Sequence, residues 1–306
     1  MSLRALVVGA AAGGGLPQWN CNGPNSSTFW RGDAPLIPAT QSSLAVSVNG
    51  TDWALLNASP DIRTQIMARP QLRPRDGRGL RDTPIRAVLL TNGDIDHIAG
   101  LLTLREKQGY DLFATASIAE VLAENPIFNA LDPAFVTRRT IELDTPFDLL
   151  PGVTATLFAV PGKVPLFMEG AHGGDAVQTD LMGEQTVGVE ITDGAQTLFY
   201  VPGCARMISD LADRLSGAAL VLFDGTLWAD DEMITQGVGL KTGARMGHMS
   251  ISGAAGSMAA FADLNVARKV YVHLNNTNPV WRDGPERAEA RANGWEIGYD
   301  GMEIAL

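Results

Sequence analysis

Short apolar runs that end in Asn, Asp, Gly or Thr recur along the chain between stretches of helical spacing, and this alternation predicts an α/β protein. Leu3 to Val8 reads as a first strand, followed by a tight loop from Ala10 to Gly15 whose glycines permit positive φ or close backbone approach. Leu44, Val46 and Val48 alternate with small or polar neighbours up to the hairpin dipeptide Asn49-Gly50, and Trp53 to Asn57 returns as the partner strand. Trp19 to Arg31 reads as an irregular excursion, and Asp61 to Arg69 as a short helix before a Pro/Arg/Gly-rich surface segment. The run Ile85 to Leu90 is a buried strand; helical spacing then runs from Ile98 to an end near Gly109. Asp111 to Thr115 is a short strand, and Ser117 to Glu124 a helix capped by Ser117.

The second half repeats the pattern. Thr140 to Leu143 and Val153 to Val160 are predicted strands of a second sheet, and Pro161 to Asp180 is a long glycine-containing loop of the kind that tends to be functional. Asp193-Gly194 joins a hairpin of Thr186 to Ile191 and Thr197 to Val201. A helix over Ile208 to Leu215 leads to the buried strand Ala219 to Phe223, which ends in Asp224-Gly225-Thr226. An Ala- and Met-rich helix over Ser252 to Leu264, a last inner strand from Lys269 to Leu274, a helix over Pro285 to Asn293 and a short strand from Trp295 to Tyr299 complete the order. Hairpins and then β-loop-α units, twice over and without a linker, make two half-chains packed into a single domain, residues 1–306, the economical reading.

Composition narrows the function classes. With 306 residues, 45% of them hydrophobic and 19% charged, the chain buries a sizeable core. A net charge of -11 argues against a nucleic-acid partner, because phosphate neutralisation needs a Lys/Arg surface. Two cysteines, Cys21 and Cys204, are too few for a disulfide framework and suit a reducing compartment. No run approaches the ~18 apolar residues of a membrane span, so a cytoplasmic protein without a membrane partner is expected. The glycine loop is neither a phosphate loop nor a dinucleotide fingerprint.

The chemistry concentrates after the strand Ile85 to Leu90, in Thr91-Asn92-Gly93-Asp94-Ile95-Asp96-His97. Two carboxylates and an imidazole at a strand's C-terminal end are ordinary ligands for Zn²⁺, Fe²⁺ or Mn²⁺. The alternative is structural: Asp96 as an N-cap and His97 as a first-turn residue.

These residues resemble the metallo-β-lactamase superfamily, a four-layer αββα sandwich whose signature loop is His-x-His-x-Asp-His. Here that loop reads Asn92-Gly93-Asp94-Ile95-Asp96-His97, keeping the last two ligands and changing the first two. On the same resemblance the third motif's His falls on Lys163, the bridging Asp on Cys204 and the final His on His273. More narrowly, the chain resembles the pyrroloquinoline quinone biosynthesis protein B family. The stretches that carry this are Gly13 to Asn22, Asn57 to Arg63, Thr91 to Gly100, Tyr200 to Cys204, Phe223 to Trp228, Gly247 to Ile251 and His273 to Pro279. Relatives look richer in cysteine around Cys21 and can hold a structural zinc there, whereas Asn22 to Ser27 offers no second thiolate.

The resemblance implies a single metal held by Asp96, His97 and His273, with Cys204 as a possible fourth donor. Two imidazoles and one carboxylate with open positions suit a non-haem iron oxygenase, with Fe²⁺ as the working ion and Zn²⁺ as one acquired on purification. The implied reaction is iron- and O₂-dependent hydroxylation of a tyrosine in a Glu-Tyr-like peptide. A zinc hydrolase with one metal and a non-catalytic carrier of the finished quinone are the alternatives. His248, Asp94 and Cys204 are the candidate catalytic groups, and Arg206, His172, Asn92 and Lys163 the candidate substrate contacts. Four of them have a plainer reading: Cys204 as a buried hydrophobe, His248 as a helix-entry residue, His172 as an exposed loop histidine and Arg206 as a surface ion pair. Asp224 is either an orienter of a ligand histidine or a turn residue.

Overall fold

The computed structural model describes residues 2–33, 36–169 and 178–306. Its strands in chain order are β1 (Arg4–Gly9), β2 (Ser43–Ser47), β3 (Trp53–Leu56), β4 (Ile85–Leu89), β5 (Tyr110–Ala114) and β6 (Val136–Thr140) in the first half. Then come β7 (Phe147–Leu150), β8 (Val153–Ala159), β9 (Val187–Thr192), β10 (Thr197–Val201), β11 (Leu220–Asp224), β12 (Arg268–Val272), β13 (Trp295–Ile297) and β14 (Glu303–Ala305). They form two seven-stranded sheets, ordered β14-β1-β2-β3-β4-β5-β6 and β13-β12-β11-β10-β9-β8-β7. In each, an antiparallel portion continues into a parallel one: β3 to β6 and β10 to β13 run parallel to their neighbours.

Period-two alternation explains the layers. In β10, β11 and β12, Leu198, Tyr200, Leu220, Leu222, Val270 and Val272 enter the core shared with the first sheet. Their alternates Phe199, Val201, Val221, Phe223 and Tyr271 face a second core, which the segments outside that sheet cover. Both faces are buried, so these strands read as continuous apolar runs. Trp295 stacks on Tyr271 with ring centroids 3.8 Å apart and planes 8° apart, and Phe261 packs edge-on to both Trp295 and Phe223. Each such aromatic pair adds about 0.5–1.5 kcal/mol beyond its buried area. The cluster anchors the ends of β11 and β12, from which Asp224 and His273 emerge.

Several expected elements differ. Trp19 to Arg31 contains a helix, Pro24–Arg31, whose buried residues Asn25, Ser26 and Ser27 are polar and leave no apolar stripe to read. The expected helix over Ser252 to Leu264 is a single turn, Ser257–Ala260, because Gly253 has φ 85° and Gly256 packs against the Ser252 carbonyl. Thr115, not Ser117, caps the helix Ala116–Glu124; Ser117 gives its N–H and hydroxyl to Glu184 instead. β6 ends at Thr140, where a strand was expected to begin, and belongs to the first sheet; its mostly exposed, polar edge carries no hydrophobic signal. After one α-turn, Ile95–Ile98, the chain continues as a 3₁₀ helix, Ala99–Arg105. No helix among the described residues is long and apolar enough to cross a membrane.

Candidate metal centre

The C-terminal ends of parallel strands are where an α/β sheet gathers its loops, and β4, β11 and β12 all deliver residues to one cleft of about 530 Å³. After β4 the backbone turns into the helix bearing Asp96 and His97. Asn57 fixes that turn: its Oδ1 accepts the Thr91 N–H at 2.9 Å. The turn is clamped from the other side, where Ala58 N–H donates to the His97 carbonyl at 2.8 Å and Gly100 N–H to the Ala58 carbonyl at 2.9 Å. A Cβ at Gly100 would lie 2.1 Å from the Ser59 carbonyl oxygen, so only glycine lets this segment close. His273 leaves β12 with φ 57°, a left-handed conformation that costs a non-glycine residue roughly 1 kcal/mol or more. Two bonds to the glycine loop hold it: Leu274 N–H to the Ala10 carbonyl at 2.9 Å and Ala12 N–H to the Leu274 carbonyl at 2.8 Å.

The two turns bring Asp96, His97 and His273 together from 177 residues apart. Asp96 Oδ2 lies 3.2 Å from His273 Nε2 and 3.9 Å from His97 Nε2, and the two rings meet edge-on with centroids 5.3 Å apart. Donors about 2.1 Å from a shared ion sit roughly 3.0–3.4 Å from one another, close to this spacing.

The tautomers follow from the partners behind the rings. Asn92 Oδ1 already accepts the Asp94 N–H, and an amide oxygen only accepts, so His97 Nδ1, 2.7 Å away, is the donor. Thr226 Oγ1 donates to Asp224 Oδ1 at 2.6 Å and accepts from His273 Nδ1 at 2.8 Å. Both histidines therefore carry the proton on Nδ1 when neutral and turn a bare Nε2 lone pair toward Asp96. His97 Nε2 is buried without any hydrogen-bond partner. A buried nitrogen lone pair beside a carboxylate oxygen is a costly arrangement for a protein to maintain, and a cation between them resolves it. The donor set fits a divalent transition metal.

Burial drives the His97 pKa down to about 4, so that ring is neutral at physiological pH. Burial also opposes charge on His273, but its bond to Asp96 outweighs this and raises its pKa. Burial works against ionisation of Asp96 too, and the two neighbouring histidines overcome it and hold the carboxyl below its usual range. An ion must then displace the His273 proton but none from His97. Metal affinity is expected to rise with pH until His273 has given up its proton, with up to one proton released per ion. Titration calorimetry in buffers of different ionisation enthalpy reads that number directly, and a pH-independent affinity would contradict it.

A second group of potential ligand atoms, on Asp224, His248 and His273, shares His273 with the first. The Thr226 hydroxyl already fills its centre, 2.6 Å from Asp224 Oδ1, 3.1 Å from His248 Nδ1 and 2.8 Å from His273 Nδ1. This is a hydrogen-bond network. Asp224 is fully buried and accepts His248 Nδ1–H at 2.7 Å, Cys204 N–H at 3.0 Å and Thr226 N–H at 3.0 Å. Burial disfavours its charge, but His248 and these bonds prevail and depress its pKa. His248, turned by Asp224, lines the cleft beside His273, with ring centroids 5.2 Å apart.

The other expected site residues are placed as follows. Cys204 is buried, its thiol donates to the Arg206 carbonyl at 3.2 Å, and burial pushes its pKa up, which keeps it protonated. Its sulfur joins neither group of ligand atoms and the residue does not line the cleft. The motif alignment locates its backbone beside Asp224 but not the direction of its side chain. Arg206 is likewise outside the cleft, paired with Asp180 at 3.4 Å on the surface. Asn92, Asp94 and Lys163 do line it. Asn92 orients His97. Asp94 accepts the Leu166 N–H at 3.0 Å, and burial raises its pKa against the pull of Lys163. His172 lies outside the described residues. The sequence reading missed Thr226, whose signal was its place two residues after the end-of-strand Asp224, and Glu169, Lys241 and Arg245, which carried none.

The beta-lactamase superfamily domain matches residues 52–274. The chain is 57% identical over 305 residues to the coenzyme PQQ synthesis protein B of Ruegeria pomeroyi, covering 99% of this chain and 100% of that one. To the protein of the same name from Rhizobium meliloti it is 54% identical, covering 99% and 98%. The crystal structure of Zn²⁺-bound PqqB from Methylobacterium extorquens superposes with a TM-score of 0.95 at 51% identity, over 99% of this chain and 100% of that one. A diphosphatase of the PhnP family shares the fold alone, at 16% identity and a TM-score of 0.67 over 99% and 98% of the two chains. Sequence identity and overall superposition agree: this chain belongs to the coenzyme PQQ synthesis protein B family, within the beta-lactamase superfamily.

Proposed function

We propose that the protein serves pyrroloquinoline quinone biosynthesis as a non-haem iron oxygenase, hydroxylating the tyrosine ring of a Glu-Tyr-like peptide. The observation that carries this reading is the convergence of two buried imidazole Nε2 atoms and one carboxylate oxygen, with His97 Nε2 unpartnered. Two histidines and one carboxylate, leaving coordination positions open, are the ligand set of iron oxygenases. Asp96, His97 and His273 would hold Fe²⁺, which when bound supplies the O₂ chemistry that side chains cannot. One oxygen atom enters the ring, the other leaves as water, and an external reductant provides two electrons.

The chain's own contribution is orientation and proton handling. Asn92 and Thr226 fix the ligand tautomers. His248 is held through Nδ1 by Asp224, which leaves Nε2 as the atom able to take or return a proton in the cleft. Gly13, Gly14, Leu166 and Met246 line the cleft, whose volume of about 530 Å³ leaves room for an aromatic ring.

A zinc hydrolase is the second reading, favoured by the Zn²⁺ in the Methylobacterium extorquens relative and by the Asp224–His248 pair. Against it, Asn92, Asp94 and Lys163 stand where hydrolytic relatives keep further ligands, and all are engaged within the protein. Protein loaded anaerobically with Fe²⁺ or Zn²⁺, given Glu-Tyr and a reductant and then exposed to O₂, separates the readings. Ring hydroxylation only with iron supports the oxygenase. Peptide or ester cleavage with zinc, or quinone binding indifferent to metal and without turnover, would replace it with the hydrolase or a carrier.

A further inference from the structure

At one end of the same cleft, three cations from two segments converge on one carboxylate. Glu169 lies 3.3 Å from Lys163 Nζ through Oε1, and through Oε2 3.3 Å from Lys241 Nζ and 3.0 Å from Arg245 Nη2. Among the described residues, none of the three cations has another carboxylate within ion-pair distance, although the chain's net charge is -11. The pairing is also geometrically incomplete. Arg245 uses one arm only, and its Nη1 is buried with no hydrogen-bond partner, as is Glu169 Oε1. A guanidinium binds a carboxylate best through two parallel bonds. Lys163, Glu169 and Lys241 line the cleft together with Asp96, His248 and His273, so a ligand at the metal centre extends toward this cationic end.

We propose that Lys163, Lys241 and Arg245 form the subsite for a carboxylate of the substrate, and that Glu169 fills it in the free protein as an internal stand-in. A ligand carboxylate entering here takes over the contacts that Glu169 makes with Lys163, Lys241 and Arg245 Nη2, and the surplus of positive charge accommodates both anions during the exchange. The placement of the tyrosine ring at the metal centre rests on the oxygenase reading; the anion subsite itself does not. Specificity for an anionic peptide follows from the chemistry of this end, because a neutral ligand leaves the three cations with Glu169 and gains nothing there.

The test is calorimetric titration of the Zn²⁺-loaded protein, where no turnover intervenes, with Glu-Tyr, its fully amidated counterpart Gln-Tyr-amide, and glutarate as a plain dicarboxylate. Arg245→Gln and, separately, Lys241→Met are expected to raise the dissociation constants of Glu-Tyr and glutarate about tenfold or more, the usual loss for a charge-assisted bond, and to leave the amide unchanged. Glu169→Gln is expected to tighten both anions roughly three- to tenfold by removing the internal competitor. A Glu169 that merely anchors its loop would give weaker or unaltered binding in that variant. Equal affinity for Glu-Tyr and its amide, or anion binding indifferent to both cation substitutions, would overturn the proposal. Anion binding that behaves as expected while no ring is ever hydroxylated would leave the subsite standing and remove the oxygenase reading.

Discussion

His97→Ala is expected to lower transition-metal affinity by well over a hundredfold and to abolish turnover, whereas His248→Ala keeps the metal and loses about 10²–10⁴ in rate. The first figure exceeds the roughly 10–100-fold that follows loss of a hydrogen-bond partner behind a ligand. The second is the usual worth of a positioned proton carrier. Both rings are near His273, yet their surroundings differ. His97 Nε2 is a buried lone pair without a partner, facing Asp96. His248 is instead tied to Asp224 through Nδ1, with the Thr226 hydroxyl against the same nitrogen. Metal content by atomic emission, measured beside the rate, separates the two roles. Metal lost in His248→Ala but kept in His97→Ala would mean that the ion sits in the Asp224–His248–His273 group instead.

Thr226→Val is the second substitution with a large expected effect, although it removes a single oxygen and nearly conserves shape. The hydroxyl proton goes to Asp224 and its lone pair takes the His273 Nδ1–H. Without it, His273 Nδ1 loses its acceptor and the tautomer that presents Nε2 is no longer enforced. Asp224 also loses one of the bonds that offset its burial. Metal affinity is expected to fall about 10–100-fold, and stability by roughly 1–3 kcal/mol for each buried polar group left unpaired. Thr226→Ser restores the hydroxyl and should recover most of both. Chemical denaturation with and without metal measures the two losses separately; failure of serine to rescue would assign the effect to the methyl group and its packing.

The triad was legible because each member sits where a continuous apolar strand gives way to polar residues: β4 before Asp96 and His97, β12 before His273. Period and strand-end chemistry are local signals, and they survive in the sequence. Cys204 follows β10 in the same manner, but its thiol turns to the Arg206 carbonyl, a matter of side-chain direction that no motif position encodes. Arg206 lies only two residues beyond Cys204 in the sequence, yet its partner is the surface residue Asp180. Glu169 meets Lys241 and Arg245 across 72 and 76 residues, so its role exists only once the cleft has folded. The helix Pro24–Arg31 escaped for a related reason. Its buried face is polar because Asn25 donates to the carbonyls of Asn276 and Asn278 at 2.7 and 2.9 Å, bracing the loop that follows His273.

The proposed function depends on one ion being held between Asp96, His97 and His273. X-ray absorption at the metal edge, with anomalous diffraction from crystals of the same preparation, tests this most directly. The expected result is a single ion with two imidazole nitrogens and one Asp96 carboxylate oxygen, completed by light solvent atoms. A sulfur scatterer near 2.3 Å, which would be Cys204, or a second ion within about 4 Å, the spacing of dinuclear hydrolases, would contradict it.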